Sequence, residues 1–331
     1  MTPSAPWIAA QPRQLLAQRG HAWLLQGPSG LGQYDLALAL VRAWLCDAPT
    51  AQGACGQCPS CHAVEVRAHT DLCVLMPETV MLELGWPLGE KAQQDLDDKK
   101  RKPSKEIRVE AMRDAVEFAQ RTSGRGRGKA VLVYPAERMN HVTANTLLKT
   151  LEEPAGDLRF VLASEAAHQL LPTIRSRCLC HTMAWPTESE ALAWLQAQGV
   201  EPADAPSLLR AAGGRPQDAL AFSQAGRDPK AWALLPKALA RGDTRVLADW
   251  TPAEAVGALQ KLCHDLLAVK AGAAPRFFQR ADLPPAASLP ALTAWARELA
   301  GTARTVEHPF NAPLMLEALV SQARSALNSE P

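Results

Sequence analysis

The sequence predicts an α/β fold: a mostly parallel, three-layer sheet of the P-loop nucleotide-binding type, followed by all-helical domains. Three observations predict it. Gly27-Pro28-Ser29-Gly30-Leu31-Gly32-Gln33-Tyr34 carries the glycine frame of a phosphate loop, set between an apolar run and an amphipathic stretch. Apolar runs of strand length then alternate with helical patterns as far as Cys180, the arrangement of a parallel sheet covered by helices. After Pro186 only helical periodicity remains.

Taken in order, residues 1–20 predict a short helix with Ile8, Leu15 and Leu16 apolar. Ala22-Trp23-Leu24-Leu25-Gln26 reads as a buried strand entering the loop, and Leu36, Ala37, Leu38, Leu40, Val41 and Leu45 as the helix leaving it. In a working loop of the form G-x-x-x-x-G-K-[ST], backbone N–H groups cradle phosphates, the Lys reaches the β/γ oxygens and the hydroxyl holds Mg²⁺. Gly27, Gly30 and Gly32 keep that frame, but Gln33 stands at the Lys position and Tyr34 at the hydroxyl position. An amide has no charge to set against a triphosphate, and a bulky phenol is a poor Mg²⁺ ligand. The loop reads as a nucleotide-binding frame that has lost its own catalysis.

Cys46, Cys55, Cys58 and Cys61 follow as C-x8-C-x2-C-x2-C, with Gly56 and Pro59 in the turns. Four thiolates suit a closed, tetrahedral, structural Zn²⁺ site; a disulfide pair or an iron–sulfur cluster is the alternative. His62 reads as a bystander, because four sulfurs complete a shell. Cys73, Cys178, Cys180 and Cys263 stand beside Leu or Val and read as small core residues.

Leu72–Met76 is a second strand candidate ended by Pro77, and residues 83–105, with Asp95-Leu96-Asp97-Asp98-Lys99-Lys100-Arg101-Lys102, read as a solvated and partly mobile loop. A helix is expected from Ile107 to Gln120, then a flexible basic turn from Ser123 to Lys129 and a strand over Ala130–Tyr134. A P-loop ATPase places an acidic residue at the end of this strand to bind Mg²⁺. Pro135-Ala136 stand there instead, and Glu137 lies one position too late, a slip of about 3.3 Å that turns its carboxylate to another side. Two elements of one reaction are thus absent from the same frame.

The helix carrying Asn145–Glu153 stops at Pro154, Arg159–Ala163 reads as a strand, and Leu171–Cys180 completes the first domain. Arg177 lies just before Cys178-Leu179-Cys180, which read as strand. A guanidinium is a permanent, forked charge suited to phosphate oxygens, although a surface or ion-paired arginine satisfies the same sequence. Beyond Pro186, helices are expected from Glu188 to about Ala225 with a Gly213-Gly214-Arg215-Pro216 break, and again from Asp228 onward. Val256, Leu259, Leu262, Leu266 and Leu267 share one face there, as do Leu314, Leu316, Leu319 and Val320.

Composition sets the limits. The 331 residues are 47% apolar, 21% charged and only 5% aromatic, as in a helix-rich globular chain of two or three domains. Lys plus Arg number 35 against 34 for Asp plus Glu, so no global charge points to nucleic acid or membrane. With no basic-then-apolar leader and no apolar run near 20 residues, a cytoplasmic location with reduced thiols is expected.

Together, the Gly27–Leu36 loop, the cysteine cluster, Asn145–Pro154 and Ser176-Arg177-Cys178 resemble the delta-prime family of bacterial DNA polymerase III clamp-loader subunits. The likeness covers roughly residues 5–225 and is weaker beyond, where Asn311–Leu319 is similar to the family's last helical domain. It implies an AAA+ core over residues 1–185 with an inserted zinc module at 46–61, a helical lid over 186–227 and a helical collar over 228–331. It further implies that Arg177, with Ser176 and Cys178 as its motif, is an arginine finger serving the ATP site of an adjacent tau/gamma subunit. Cys46, Cys55, Cys58 and Cys61 match the family's zinc ligands, and Gln217 falls where an active lid carries a nucleotide-sensing arginine, with Arg215 displaced. The implied partners are tau/gamma and delta subunits and, through the complex, a sliding clamp and primer-template DNA. Two other readings are a self-sufficient ATPase using divergent residues, which would turn over ATP alone, and a stand-alone zinc-dependent DNA-binding module, which would bind duplex in a salt-dependent way. The latter lacks a Lys/Arg-rich helix beside the cysteines.

Overall fold

The computed structural model describes residues 5–285, 287–306, 308 and 311–329. The first four residues of the expected amino-terminal helix and the last two of the expected collar lie outside them. The chain divides into two units, residues 1–190 and 191–331.

The first unit is organised by five strands: β1 (Ala22–Gln26), β2 (Leu72–Leu75), β3 (Lys129–Val133), β4 (Leu158–Ser164) and β5 (Leu179–Thr182). They form one sheet in the order β2-β3-β4-β1-β5, and every pairing is parallel. β1, β3 and β4 are buried along almost their whole length, as parallel strands are when helices cover both faces. This is the α/β class that the sequence predicts. Leu24, Val131, Val133, Phe160 and Leu162 form a core with Met112, Leu147, Leu151 and Ile174 from the covering helices. Gln26 pairs with Ser164 on one side and Thr182 on the other, so the phosphate loop and the ends of β4 and β5 lie at one edge. Ligands of open α/β sheets gather at this carboxyl edge.

Several local expectations are corrected. The amino-terminal helix is two short pieces, Pro6–Ala9 and Pro12–Leu16, each begun by a proline, which fits the first helical position and not an interior one. The 83–105 excursion contains a helix, Glu90–Asp97, none of whose residues is buried. Its far end is tied down by Glu78, whose carboxylate takes the Arg101 fork and the Ser104 N–H. Burial pushes the Glu78 carboxyl up, but these donors and Arg108 hold it below its usual range. The basic turn is pinned too: Asp71 accepts from Ser123 Oγ and from the Gly124 and Arg125 N–H groups at 2.7–3.0 Å. Lys129 is buried, its ammonium on the carbonyls of Phe118 and Ala119 that end the helix Val109–Gln120. Cys180 is exposed, because β5 is an edge strand; Cys73 and Cys178 are half-buried and Cys263 is buried.

The second unit is helical throughout its described residues. Ala191, Leu195, Val200, Leu208, Leu209 and Ala219 form one small core. A larger one joins Trp232, Leu259, Leu262, Leu266, Trp295, Leu319 and Val320 from the helices Pro229–Arg241, Pro252–Lys270, Leu289–Thr305 and Ala312–Leu327. Leu314 departs from the expected face and is 64% exposed.

Candidate functional site

The helix Gln33–Leu45 begins at Gly32, which adopts φ 87°, and Gly30 adopts φ 78°. Both lie in the left-handed region open to glycine, so the loop keeps the backbone path of a phosphate cradle. The side chains that follow have turned inward. Gln33, 2% exposed, donates through Nε2 to the carbonyls of Gly27 and Pro28 at 2.8 and 2.7 Å. The Tyr34 hydroxyl accepts from Trp86 Nε1 at 2.8 Å, and its ring lies against Tyr134 with centroids 5.4 Å apart.

Tyr134 directly follows β3, where the second acidic element of an ATPase would begin, and its hydroxyl donates to Glu165 Oε1 at 2.9 Å. Burial raises the Tyr34 phenol despite the Trp86 bond. Burial and then the facing Glu165 carboxylate raise Tyr134 further. Glu137 does not face the loop's hydroxyl position; its carboxylate accepts from Ser164 Oγ at 2.8 Å and from the Glu165 N–H at 3.1 Å, closing the end of β4. The Tyr34–Tyr134 pair and Trp86 were not legible in the sequence. Their only signal was one large aromatic, Tyr34, at a position that a small hydroxyl residue normally holds.

The four cysteines do converge. Cys46 ends the helix Gln33–Leu45, and Cys58 caps the helix Pro59–Glu65, which carries Cys61 in its first turn. Gly56, at φ 79°, turns the chain between Cys55 and Cys58. The Sγ atoms all lie within 4.8 Å of one another, and those of Cys46 and Cys58 are 3.8 Å apart. Zn–S bonds of ~2.3 Å in a tetrahedron require sulfurs about 3.8 Å apart, so this donor set fits zinc. It does not form disulfides: all four cysteines are free. The Cys55 N–H points at Cys46 Sγ (3.3 Å) and the Cys61 N–H at Cys58 Sγ (3.4 Å), while burial pushes the Cys46 thiol above its ordinary value. His62 is exposed and outside the cluster.

Arg177 follows the short helix Pro172–Arg175, and its side chain is 30% exposed. Nε donates to Glu152 Oε1 at 2.7 Å, a terminal nitrogen bonds the same carboxylate, and the other donates to the Thr173 carbonyl at 2.8 Å. Ser176 Oγ donates to the Thr173 carbonyl, while Cys178 packs against the sheet core with its thiol pushed up to about 12 by burial. Glu152, near the end of the Asn145–Glu153 segment, is thus the partner that sequence reasoning missed. In the second unit Arg215 pairs with Asp218 at 3.0 Å and donates to the Ala212 carbonyl.

A protein-family sequence model described as "DNA polymerase III, delta subunit" matches residues 13–186, more than half of the chain. DNA polymerase III subunit delta' of Pseudomonas aeruginosa is 40% identical over 215 residues, 64% of this chain and 58% of the relative. Subunit delta' of Escherichia coli is 34% identical over 225 residues, 66% of this chain and 60% of the relative. DNA polymerase III subunit tau of Salmonella typhimurium is 29% identical over 209 residues, 61% of this chain and 28% of that one. The chain therefore aligns to about three fifths of the length of the delta' relatives.

Proposed function

The chain belongs to the DNA polymerase III delta-prime family, and from that premise we propose that it is a non-catalytic subunit of the clamp loader. In this reading it hydrolyses no ATP of its own and lends Arg177 across a subunit boundary to the ATP site of a tau/gamma neighbour. It assembles with tau/gamma and delta subunits, in the cytoplasm, and through them acts on a sliding clamp and primer-template DNA. Residues 1–185 serve as the AAA+ core, 186–227 as the lid and 228–331 as the collar that holds the ring; the two separate helical cores support this division.

One observation carries the reading. Gln33 and Tyr34 take the positions of the missing Lys and hydroxyl, Pro135 and Ala136 that of the acidic residue, and Gln33, Tyr34 and the neighbouring Tyr134 are each engaged within the chain. A triphosphate and its Mg²⁺ would meet an uncharged amide and two tilted phenol rings there in place of the Lys and the hydroxyl that stabilise the developing charge. Cys46, Cys55, Cys58 and Cys61 would hold Zn²⁺, which supplies structural cross-linking of a segment poor in apolar residues.

Arg177 is poised for exchange. Its partner Glu152 is 46% exposed, and pairs of this kind are worth only about 0–1 kcal/mol. A neighbour's phosphates can displace that carboxylate at small cost, and the guanidinium then stabilises the transferring phosphoryl group. The test is reconstitution with tau/gamma and delta subunits followed by ATPase assay. Arg177→Ala should assemble normally and hydrolyse far more slowly; unchanged hydrolysis would remove Arg177 from this role, and ATP turnover by the isolated chain would refute the non-catalytic reading.

A further inference from the structure

At the amino ends of the strands, opposite the phosphate loop, lies a cavity of about 510 Å³. Arg19 and Gly20 approach it before β1, Arg127 before β3, and Arg159 from the start of β4, while the buried rings of Trp23 and Trp44 back it. The two indoles lie 5.0 Å apart, and the half-buried Arg159 guanidinium is 5.9 Å from the Trp44 ring centroid. Arg127 is fixed through Nε to the Cys46 carbonyl at 3.1 Å, a bond that does not use its terminal nitrogens.

Among the described lining residues there are three arginines and no carboxylate, in a chain whose formal net charge is only +1. Like charges gathered in one concavity repel, and a cleft lined by one sign of charge concentrates the opposite sign. Guanidinium forks match phosphate oxygens, and a guanidinium plane, here Arg159 backed by the buried Trp44, presents a flat face to a base. The volume falls within the ~300–1,000 Å³ usual for small-ligand sites and is more than a bare phosphate fills.

We propose that this cavity binds a phosphate ester on a nucleotide-sized planar body, either a free nucleotide or the terminal nucleotide of a strand. Arg19 and Arg127 grip the phosphate, and Arg159, held over Trp44, faces the base. The site is separate from the Gly27–Tyr34 loop and needs no partner subunit.

The test is titration calorimetry of the full chain with thymidine 5′-monophosphate, a short 5′-phosphorylated oligo(dT) and thymidine. A phosphorylated ligand should bind saturably, and Arg159→Ala should weaken it about tenfold or more, equivalent to ~1.4 kcal/mol. Arg19→Glu, at an exposed position where folding is not at stake, should do the same. Equal affinity for monophosphate and oligonucleotide identifies a free nucleotide; tighter, salt-sensitive oligonucleotide binding identifies a strand end. The proposal is overturned if neither phosphorylated ligand saturates, if thymidine binds as well as its monophosphate, or if both variants bind like the parent chain.

Discussion

The phosphate loop and the cysteine cluster both look like binding sites in the sequence, yet the structure treats them in opposite ways. At the loop, the two side chains that replaced catalytic ones have found partners inside the chain, Gln33 on two carbonyls and Tyr34 on Trp86 and Tyr134, and Tyr134 in turn bonds Glu165. At the cluster, four sulfurs are brought within 4.8 Å of one another with no disulfide joining them. Close thiols gain little from each other, so holding four of them together makes physical sense when a cation completes the set. The loop's side chains are satisfied within the chain, whereas the cluster's sulfurs are gathered as metal ligands are, and the comparison can be broken by experiment at either place.

The largest expected effect lies at a third point, Arg177, which we propose lends its charge to a neighbouring subunit. In the reconstituted complex, Arg177→Ala should lower ATPase by ~10³-fold, the lower end for arginine fingers, while the chain's own melting temperature moves little because the Glu152 pair is solvent-exposed. Steady-state hydrolysis and thermal melting read the two separately. Next comes the cluster: Cys58→Ser or strong chelation should release about one equivalent of zinc and destabilise the first unit by roughly 4 kcal/mol or more, in the range reserved for losing a metal. Metal analysis with denaturant unfolding checks it; an unchanged midpoint would mean that the cysteines do not cross-link the segment.

A smaller and cleaner measurement uses the chain's two tyrosines: Tyr34 at the end of the loop, and Tyr134 packed against it from the end of β3. Their folded pKa values are raised above the ordinary 10 by burial first, with Glu165 adding to Tyr134. The folded state therefore keeps its phenolic protons longer than the unfolded one. The stabilisation is fully present below pH ~10 and is lost as pH climbs through the folded values. Phenolate absorbance should stay flat past pH 10 in the native chain and rise near 10 in denaturant; a native rise at 10 would show open phenols. The smallest expected effect is none: Gln33→Lys with Tyr34→Thr should not create ATPase, because Pro135 and Ala136 still supply no carboxylate after β3. Measurable turnover by that double variant would mean that Glu137 or Glu165 can serve.

Sequence reading found β1 at Ala22–Gln26 and β3 one residue late, at Ala130–Tyr134 against the observed Lys129–Val133, because two-sided burial makes both strands apolar runs. It did not find the helix Glu90–Asp97, which buries none of its residues and so leaves no periodic apolar signal. The basic turn looked mobile for a similar reason. The residue that pins it, Asp71, lies some fifty positions away, and pairing at that distance leaves no mark in a local pattern.

Residue identity and spacing alone determined the parallel α/β class, the glycine frame that lacks its Lys, and the four thiols at metal-binding intervals. These depend on local periodicity and on side-chain chemistry that no fold can supply. Only the tertiary structure decided that Tyr34 at the hydroxyl position packs on Tyr134, that Arg177 rests on Glu152, and that three arginines share a cavity at the amino ends of the strands. Each of those contacts joins residues far apart in the chain, and their distance and orientation are set by how the sheet stacks its strands.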